Sequence, residues 1–106
     1  MKYLVTVKRR DNVSMPPEAI AGILNGQREW IRDKLADGTF DAAFSFTQGG
    51  GGVAIVNADS AEELNGIITS GPVFAISDQT VQPLADIDVA LGNAVEALQR
   101  TAGVPA

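Results

Sequence analysis

Residues 57–84, NADSAEELNGIITSGPVFAISDQTVQPL, decide how this chain folds. Ser60 and Glu63 have the spacing of a capping box, in which the serine oxygen accepts from the Glu63 backbone N–H and the glutamate reaches back. This pair predicts the start of a helix. The apolar residues that follow recur at three- and four-residue steps, as on one face of a helix: Ala61, Leu64, Ile67 and Ile68.

The second half of this segment predicts a strand. Gly71 can take the left-handed conformation that ends a helix, and Pro72 cannot continue one. We therefore expect a strand from Val73 to Val81 that ends at Pro83. The segment thus joins a helix directly to a strand.

On these residues the chain resembles the muconolactone delta-isomerase-like proteins. The matching positions have the same ungapped spacing in helix and strand: Ser60, Glu62, Leu64, Pro72, Phe74, Asp78, Val81 and Leu84. Looser similarity extends back through Gly38 to Phe40 and covers most of residues 1–84. The resemblance implies a ferredoxin-like fold, a dimeric or higher assembly, and a proton shift in an unsaturated lactone without metal or cofactor.

The remaining segments complete an alternating pattern. We expect strands at 2–8, 39–47 and 53–56, a helix from Ser14 or Met15 to Asp37, and a third helix at 85–100 that Gly103 and Pro105 end. The order strand, helix, strand, strand, helix, strand is the ferredoxin-like split βαβ arrangement. A chain of 106 residues is the usual size of one domain. We therefore predict an α+β ferredoxin-like βαββαβ fold over residues 1–106, with a core at about 1–84 and an extra C-terminal helix at about 85–101.

The predicted strands are apolar on both sides. In the strand at 39–47, strict alternation places Phe40, Phe44 and Phe46 together on one face, and the other face carries, beyond Asp41, only the small residues Ala43, Ser45 and Thr47. We therefore expect two copies to pack sheet against sheet as a dimeric α/β barrel with a chamber between them. The C-terminal helix either covers a sheet edge or clasps a neighbour.

Composition excludes several classes of protein. The formal net charge is −5 and the basic residues cluster only at 8–10, which argues against nucleic acid and against an anionic membrane surface. The sequence has no Cys and no His, so thiol chemistry and the commonest metal ligand are absent. We expect a cytoplasmic protein without cofactor, whose partners are a small-molecule ligand and its own copies. For Arg9 and Arg10 an anion site is an alternative, although a solvated strand end is the favoured interpretation.

The candidate site residues follow from the chemistry of proton transfer. Without His, the base must be a carboxylate, Tyr or Lys. Asp78 is the first candidate because it is one of the matching positions and interrupts an otherwise apolar strand, and burial in an apolar cavity would raise a carboxyl pKa toward the working range. Tyr3 or Lys8 would stabilise an enolate oxygen. The alternative for Asp78, a strand-end residue that faces water, is favoured over catalysis. Candidate ligand contacts are Thr6, Phe44, Ser45, Thr47 and Trp30, with a core or dimer contact the favoured role for Trp30.

Two further functions stay open at this point. One is a non-catalytic dimer that binds a hydrophobic small molecule or serves as an accessory subunit. The other is a cofactor-free monooxygenase or polyketide-modifying enzyme on the same barrel. The glycine run 49–52 is expected to form a flexible hairpin loop that could act as a mobile lip, rather than a phosphate cradle, because strands lie on both sides of it.

Overall fold

A computed structural model describes residues 1–103 of the chain and confirms the ferredoxin-like α+β fold. The elements in chain order are β1 (Lys2–Arg9), α1 (Pro17–Ala36), β2 (Phe40–Ser45), β3 (Gly51–Asn57), α2 (Ala61–Thr69), β4 (Ser77–Leu84) and α3 (Ile87–Thr101). The four strands form one antiparallel sheet in the order β2-β3-β1-β4. Pro105 lies outside the described residues, and Gly103 follows the last turn of α3.

Helices α1 and α2 cover one face of the sheet, and the core lies between them. Tyr3 and Val5 of β1 pair with Val56 and Ala54 of β3, so all four side chains point to this face. Around them pack the other buried and half-buried apolar residues of the core: Phe40, Ala58, Leu64, Val7, Trp30, Ile31, Ala43, Ile67 and Ile68. Trp30 therefore belongs to the core, as favoured from the sequence.

A β-bulge at Asp41 changes the face assignment of β2. Phe40 pairs with Val56, whereas Ala42 pairs with the very next residue of β3, Ile55, so Asp41 is an extra residue in the ladder. Phe40 consequently points into the core while Phe44 points to the opposite face and is 69% exposed. The predicted shared face of the phenylalanines is wrong, because strict alternation does not hold across a bulge.

The bulge is held by a polar cluster. Lys2 donates to the Asp41 carboxylate, and the Asn57 side-chain amide donates to Asp41 Oδ1 at 2.7 Å and to the Gly38 carbonyl at 3.0 Å. Lys2 also donates to Asn57 Oδ1 at 2.9 Å. These bonds fix the extra residue against the ends of β1 and β3.

The capping box of α2 is confirmed with one change. The Glu63 backbone N–H donates to Ser60 Oγ at 3.1 Å, as expected, but the Glu63 carboxylate accepts from the Asp59 N–H at 3.2 Å rather than from Ser60 itself. At the start of α1, the N-cap is Pro16 and no side chain caps the helix, in contrast to the predicted Ser14 or Met15. Asp37 and Gly38 end α1 as predicted.

The strand expected from Val73 begins four residues later. Residues Phe74–Ile76 form a short 3₁₀ turn, in which the Phe74 N–H donates to the Gly71 carbonyl and the Ile76 N–H to the Val73 carbonyl. This turn lets Val73 and Ile76 both point inward, where they are buried. Strand β4 then runs on through Pro83, which an edge strand tolerates.

The face of the sheet opposite the helices, called here the open face, is apolar over only part of its width. Most of its apolar side chains come from β2, β3 and β1, namely Ala42, Phe44, Val53, Ile55 and Leu4, and Leu84 adds one at the end of β4. Strand β4 contributes polar residues to the same face, namely Asp78, Thr80 and Gln82. The expectation that neither face suits water is therefore wrong for the β4 side. The dimeric barrel stays a prediction.

Two glycines of the run 49–52 lie inside β3 and approach neighbouring strands closely. A Cβ on Gly51 would stand 2.0 Å from the Val7 carbonyl oxygen, and one on Gly52 would stand 2.2 Å from the Phe44 carbonyl oxygen. By contrast, a Cβ on Gly22 of α1 would meet nothing within 4 Å. Gly51 and Gly52 therefore exclude any side chain, whereas Gly22 has room for one.

We predict opposite effects of alanine at Gly51 and Gly22. Gly51→Ala forces apart β1 and β3 and should lower the free energy of unfolding by several kcal/mol, in the range of backbone disruption. Gly22→Ala should raise it by about 1 kcal/mol, because glycine is a poor helix former and the site is open. Urea unfolding followed by circular dichroism measures both, and equal stabilities of the two variants would contradict this account of the hairpin.

The Asp41 cluster predicts a specific acid sensitivity. Hydrogen bonds from Lys2 and then Asn57 hold the pKa of the Asp41 carboxyl below its ordinary value of 3.8. A lowered folded-state pKa stabilises the fold above the unfolded-state pKa, and this contribution is lost as pH falls below about 4. Asp41→Asn should therefore flatten the loss of thermal stability on acidification below that pH, which thermal unfolding at a series of pH values measures.

Candidate functional site

A large cavity lies between the helices and the sheet. It has a volume of about 580 Å³ and is bounded by α1, α2, the turn before β4, and the end of the sheet that carries the β2–β3 hairpin. This is within the size range of small-molecule sites. The sequence predicted a chamber between two sheets; within the single chain the large cavity is instead on the helix side.

The cavity has an apolar inner wall centred on two aromatic rings. Trp30 of α1 and Phe40 of β2 meet edge to face, with ring centroids 5.4 Å apart and planes at 81°. Such pairs hold both rings in one orientation. The aliphatic remainder of the wall comes from all sides: Val5, Val7, Leu24, Ile31, Val56, Ile67, Ile68, Val73 and Ile76.

Every charged side chain in the cavity wall is an arginine. Arg9 extends from the end of β1 on the helix side, and Arg28 and Arg32 lie one turn apart on α1. The wall contains no Asp, Glu, Lys or Tyr among the residues described. A cleft lined by one sign of charge concentrates its field, so the cavity attracts anions although the whole chain carries a net charge of −5.

Several neutral polar side chains in the wall form hydrogen bonds with the backbone. Gln27 Oε1 accepts from the Val73 N–H at 3.3 Å, which ties α1 to the turn before β4. Gln79 donates from Nε2 to the Ser77 carbonyl at 3.0 Å. Ser45 Oγ lies 3.2 Å from the Phe46 carbonyl, so its hydroxyl is at the rim beside the hairpin.

The glycine run forms the rim of the cavity. Gly49 and Gly50 have positive φ angles of 82° and 80° and form the hairpin turn, and all four residues 49–52 line the cavity. The predicted hairpin is thus present, although Gly51 and Gly52 belong to β3 itself. Its movement as a lip stays a prediction.

Three of the candidate site residues lie in the cavity wall and four of the others lie elsewhere. Trp30, Phe44 and Ser45 are in the wall. Tyr3 is buried in the core, where its hydroxyl lies 3.6 Å from the Met1 sulfur. The rest are Thr6 on the open face, Thr47 in the exposed hairpin, and Lys8 in a shallower depression of about 330 Å³ beside Arg9 and Arg10.

Asp78 is directed away from the cavity. Its neighbours Ser77 and Gln79 line the cavity, and successive strand residues point to opposite faces, so Asp78 lies on the open face. Its side chain is 78% exposed and its Oδ1 lies 3.8 Å from Arg10 Nε. The apolar surroundings that the base hypothesis required are absent in the single chain, and the role of Asp78 as base stays a prediction.

Sequence reasoning did not find the arginine set. Arg9 was interpreted as part of a solvated strand end, and Arg28 and Arg32 as the outer side of α1. For Arg9, the alternation of side chains along β1 could have found it, because Arg9 shares the core face of the sheet with Tyr3, Val5 and Val7. Arg10, one residue on, reaches the Ala75 carbonyl and Asp78 instead.

The described residues contain no group of three or more acidic side chains placed to hold a metal ion. No helix among them is long and apolar enough to cross a membrane. What they do form is a ferredoxin-like α+β domain with one large apolar cavity that carries only positive charge. This architecture defines the class of the protein.

Within that class the chain belongs to the muconolactone delta-isomerase family, whose model matches residues 1–88. Among solved structures, it is similar to the crystal structure of muconolactone isomerase at 3.3 Å, with 19% sequence identity and a TM-score of 0.73 over 81% of this chain and 90% of that one. At this identity the likeness shows the fold. No curated protein matches the chain.

Proposed function

We propose that the protein binds a small, mostly apolar anion in the helix-side cavity and acts on it as a cofactor-free isomerase of the muconolactone isomerase type. Membership of the family supports the isomerase class. The single observation that carries the ligand chemistry is the cavity wall, which combines apolar side chains with Arg9, Arg28 and Arg32 and no described acidic group. A lactone that carries a carboxylate has both properties.

Binding divides between the two parts of the wall. The Trp30 and Phe40 rings and the aliphatic side chains would cover the carbon skeleton, at about 25 cal/mol per Å² of apolar surface removed from water. An arginine would pair with the carboxylate, and charge-assisted hydrogen bonds of this kind are the stronger ones. Arg9 is the best placed, because it is half-buried whereas Arg28 and Arg32 are exposed.

The same arginines suit the chemistry of a proton shift. Removal of a proton next to a lactone carbonyl places negative charge on the carbonyl oxygen, and a fixed cation stabilises that charge as it develops. The step also needs a proton acceptor. Asp78 remains the proposed base, on the condition that the bound molecule reaches past the rim at the hairpin end of the sheet, since Asp78 lies on the open face and not in the cavity wall.

A second function is favoured by a specific observation. The described cavity wall holds no carboxylate, lysine or tyrosine that could take a proton. A protein that binds an apolar anion without transforming it needs no such group. The alternative is therefore a non-catalytic binding or accessory subunit that uses the same cavity.

We predict that the charge of Arg9, and not basic charge in general, governs affinity. Arg9→Gln should weaken binding of muconolactone by at least about tenfold, since hydrogen bonds to charged groups contribute about 1.5–3 kcal/mol. Arg10→Gln makes the same change one residue away, on the other side of the sheet, and should alter affinity less than about twofold because exposed charges are screened.

The binding measurement can use the fluorescence of Trp30, the one tryptophan of the chain, which lies in the cavity wall. Titration of each variant at low and moderate salt separates the specific contact from general electrostatics. Equal losses for Arg9→Gln and Arg10→Gln would show that the ligand does not occupy this cavity.

Proton transfer is tested by deuterium incorporation into muconolactone in D₂O, followed by proton NMR. We expect the wild-type protein to catalyse exchange and Asp78→Asn to abolish it without loss of affinity, because the base is removed and the cavity is untouched. Asp88→Asn on α3 is the control for the same chemical change. Exchange that survives Asp78→Asn excludes this base, and tight binding without exchange by the wild type supports the non-catalytic alternative.

A further inference from the structure

Among the residues of α1 that line the cavity, Gln27 carries the only side-chain amide. Leu24 and Ile31, which lie three residues before it and four residues after it, line the cavity as well, so Gln27 belongs to the row of side chains that α1 directs at the cavity. The rest of this row is apolar. An amide in such surroundings is costly unless its polar atoms are bonded, so the partners of its two ends show what it is for.

The oxygen end of the Gln27 amide is engaged by the backbone. Val73 is buried, and its N–H donates to Gln27 Oε1 at 3.3 Å. A backbone N–H can be satisfied only by an acceptor, so the amide turns its oxygen and not its nitrogen toward Val73. This bond therefore fixes the orientation of the amide.

The nitrogen end of the same amide stays free. Within residues 1–103, Gln27 Nε2 donates to no other group, and no side-chain nitrogen or oxygen atom is buried without a partner. Nε2 is therefore accessible rather than enclosed. Because Gln27 lies in the cavity wall, its N–H groups are neutral donors available to a molecule in the cavity.

Gly71 brings this donor close to the aromatic part of the wall. A Cβ on Gly71 would stand 3.4 Å from Gln27 Oε1 and 3.3 Å from Trp30 Cη2, so the amide and the outer edge of the indole border the same glycine. A flat ring stacked against Trp30 would therefore have its own edge near Gln27. Arg9 belongs to the sheet and Gln27 to a helix, so the two groups reach a ligand from different sides.

We propose that Gln27 Nε2 donates a hydrogen bond to the ring carbonyl oxygen of the ligand while Arg9 pairs with its carboxylate. This role rests on the proposed binding of a lactone carboxylate in the same cavity. It makes the ring carbonyl, and not only the charge, a condition of tight binding, because a ring without it leaves the donor unpaired. In a proton shift the same N–H would meet the oxygen on which negative charge develops.

Two ligands that differ only at the carbonyl test this role. Muconolactone is compared with the dihydrofuran acetate that has the same ring and carboxylate but no ring carbonyl, and both dissociation constants are measured by Trp30 fluorescence. We expect the wild-type protein to prefer muconolactone by about fivefold, which is the effect of one hydrogen bond. Gln27→Met should weaken muconolactone binding by about that factor, change binding of the analogue less than about twofold, and so abolish the preference.

Gln27→Glu separates this role from a purely structural one. Its carboxylate still accepts from the Val73 N–H, so the melting temperature should stay close to that of the wild type, but the free donor becomes an acceptor. The added negative charge weakens both ligands, whereas only muconolactone also loses the hydrogen bond, so the preference should again disappear. Gln99→Met makes the same change as Gln27→Met at an exposed position of α3 and should leave the preference intact.

The remaining outcomes distinguish this inference from the proposed function. Arg9→Gln should weaken both ligands by the same factor and preserve their ratio, because both carry the carboxylate. A preference that survives in both Gln27→Met and Gln27→Glu, or a wild type that binds the two ligands equally, refutes the role of Gln27 while binding in the cavity stands. If the wild-type protein binds neither ligand, the proposed function fails and this role fails with it.

Discussion

The architecture depends on one extra residue in the second strand. Asp41 interrupts the ladder between Phe40 and Ala42 and is held there by Lys2 and Asn57. Because the side-chain period of a strand is two, a single inserted residue reverses the face of everything beyond it. Phe40 can therefore meet Trp30 in the core while Phe44 emerges on the other side. The aromatic pair in the cavity wall and the position of Phe44 on the open face both follow from that reversal.

The core of the domain contains few buried side chains for its size. Its fully buried apolar residues are few, and a cavity of about 580 Å³ occupies the space that a tighter core would fill with side chains. Two glycines in β3 keep the hairpin strands close where any side chain would collide with a carbonyl. Empty apolar volume costs stability because its lining atoms lose their contacts. The proposed ligand would restore those contacts by filling the volume.

The sequence predicted the local features well and the tertiary ones unevenly. The cap at Ser60, the stop at Asp37 and Gly38, and the order of elements rest on short-range chemistry that neighbouring residues specify. The bulge at Asp41 depends on Lys2 and Asn57, which are distant in sequence, so the residues near Asp41 do not predict it. The 3₁₀ turn before β4 was missed because alternation alone does not distinguish it from a strand.

The arginines of the cavity wall were missed for a related reason. Candidate residues were chosen by chemical type, and Asp78 was chosen because a carboxylate interrupts an apolar strand. The alternation of side chains along a strand gives a sharper criterion. Tyr3 points into the core, so every second residue after it does too, and Arg9 is one of these. Asp78 pairs with Lys8, which belongs to the other set, so Asp78 lies on the opposite face.

This separation has a consequence for mechanism. The arginines lie on one side of the sheet and Asp78, the proposed base, lies on the other, so the single chain separates the two groups that the proposed proton shift must combine. A sheet is one residue thick, and only its rim brings the two sides within reach of one bound molecule. The rim at the hairpin is where Phe44 belongs to both the cavity wall and the open face. Any element that covers Phe44 from outside would therefore change both the shape of the cavity and the solvation of the face that carries Asp78.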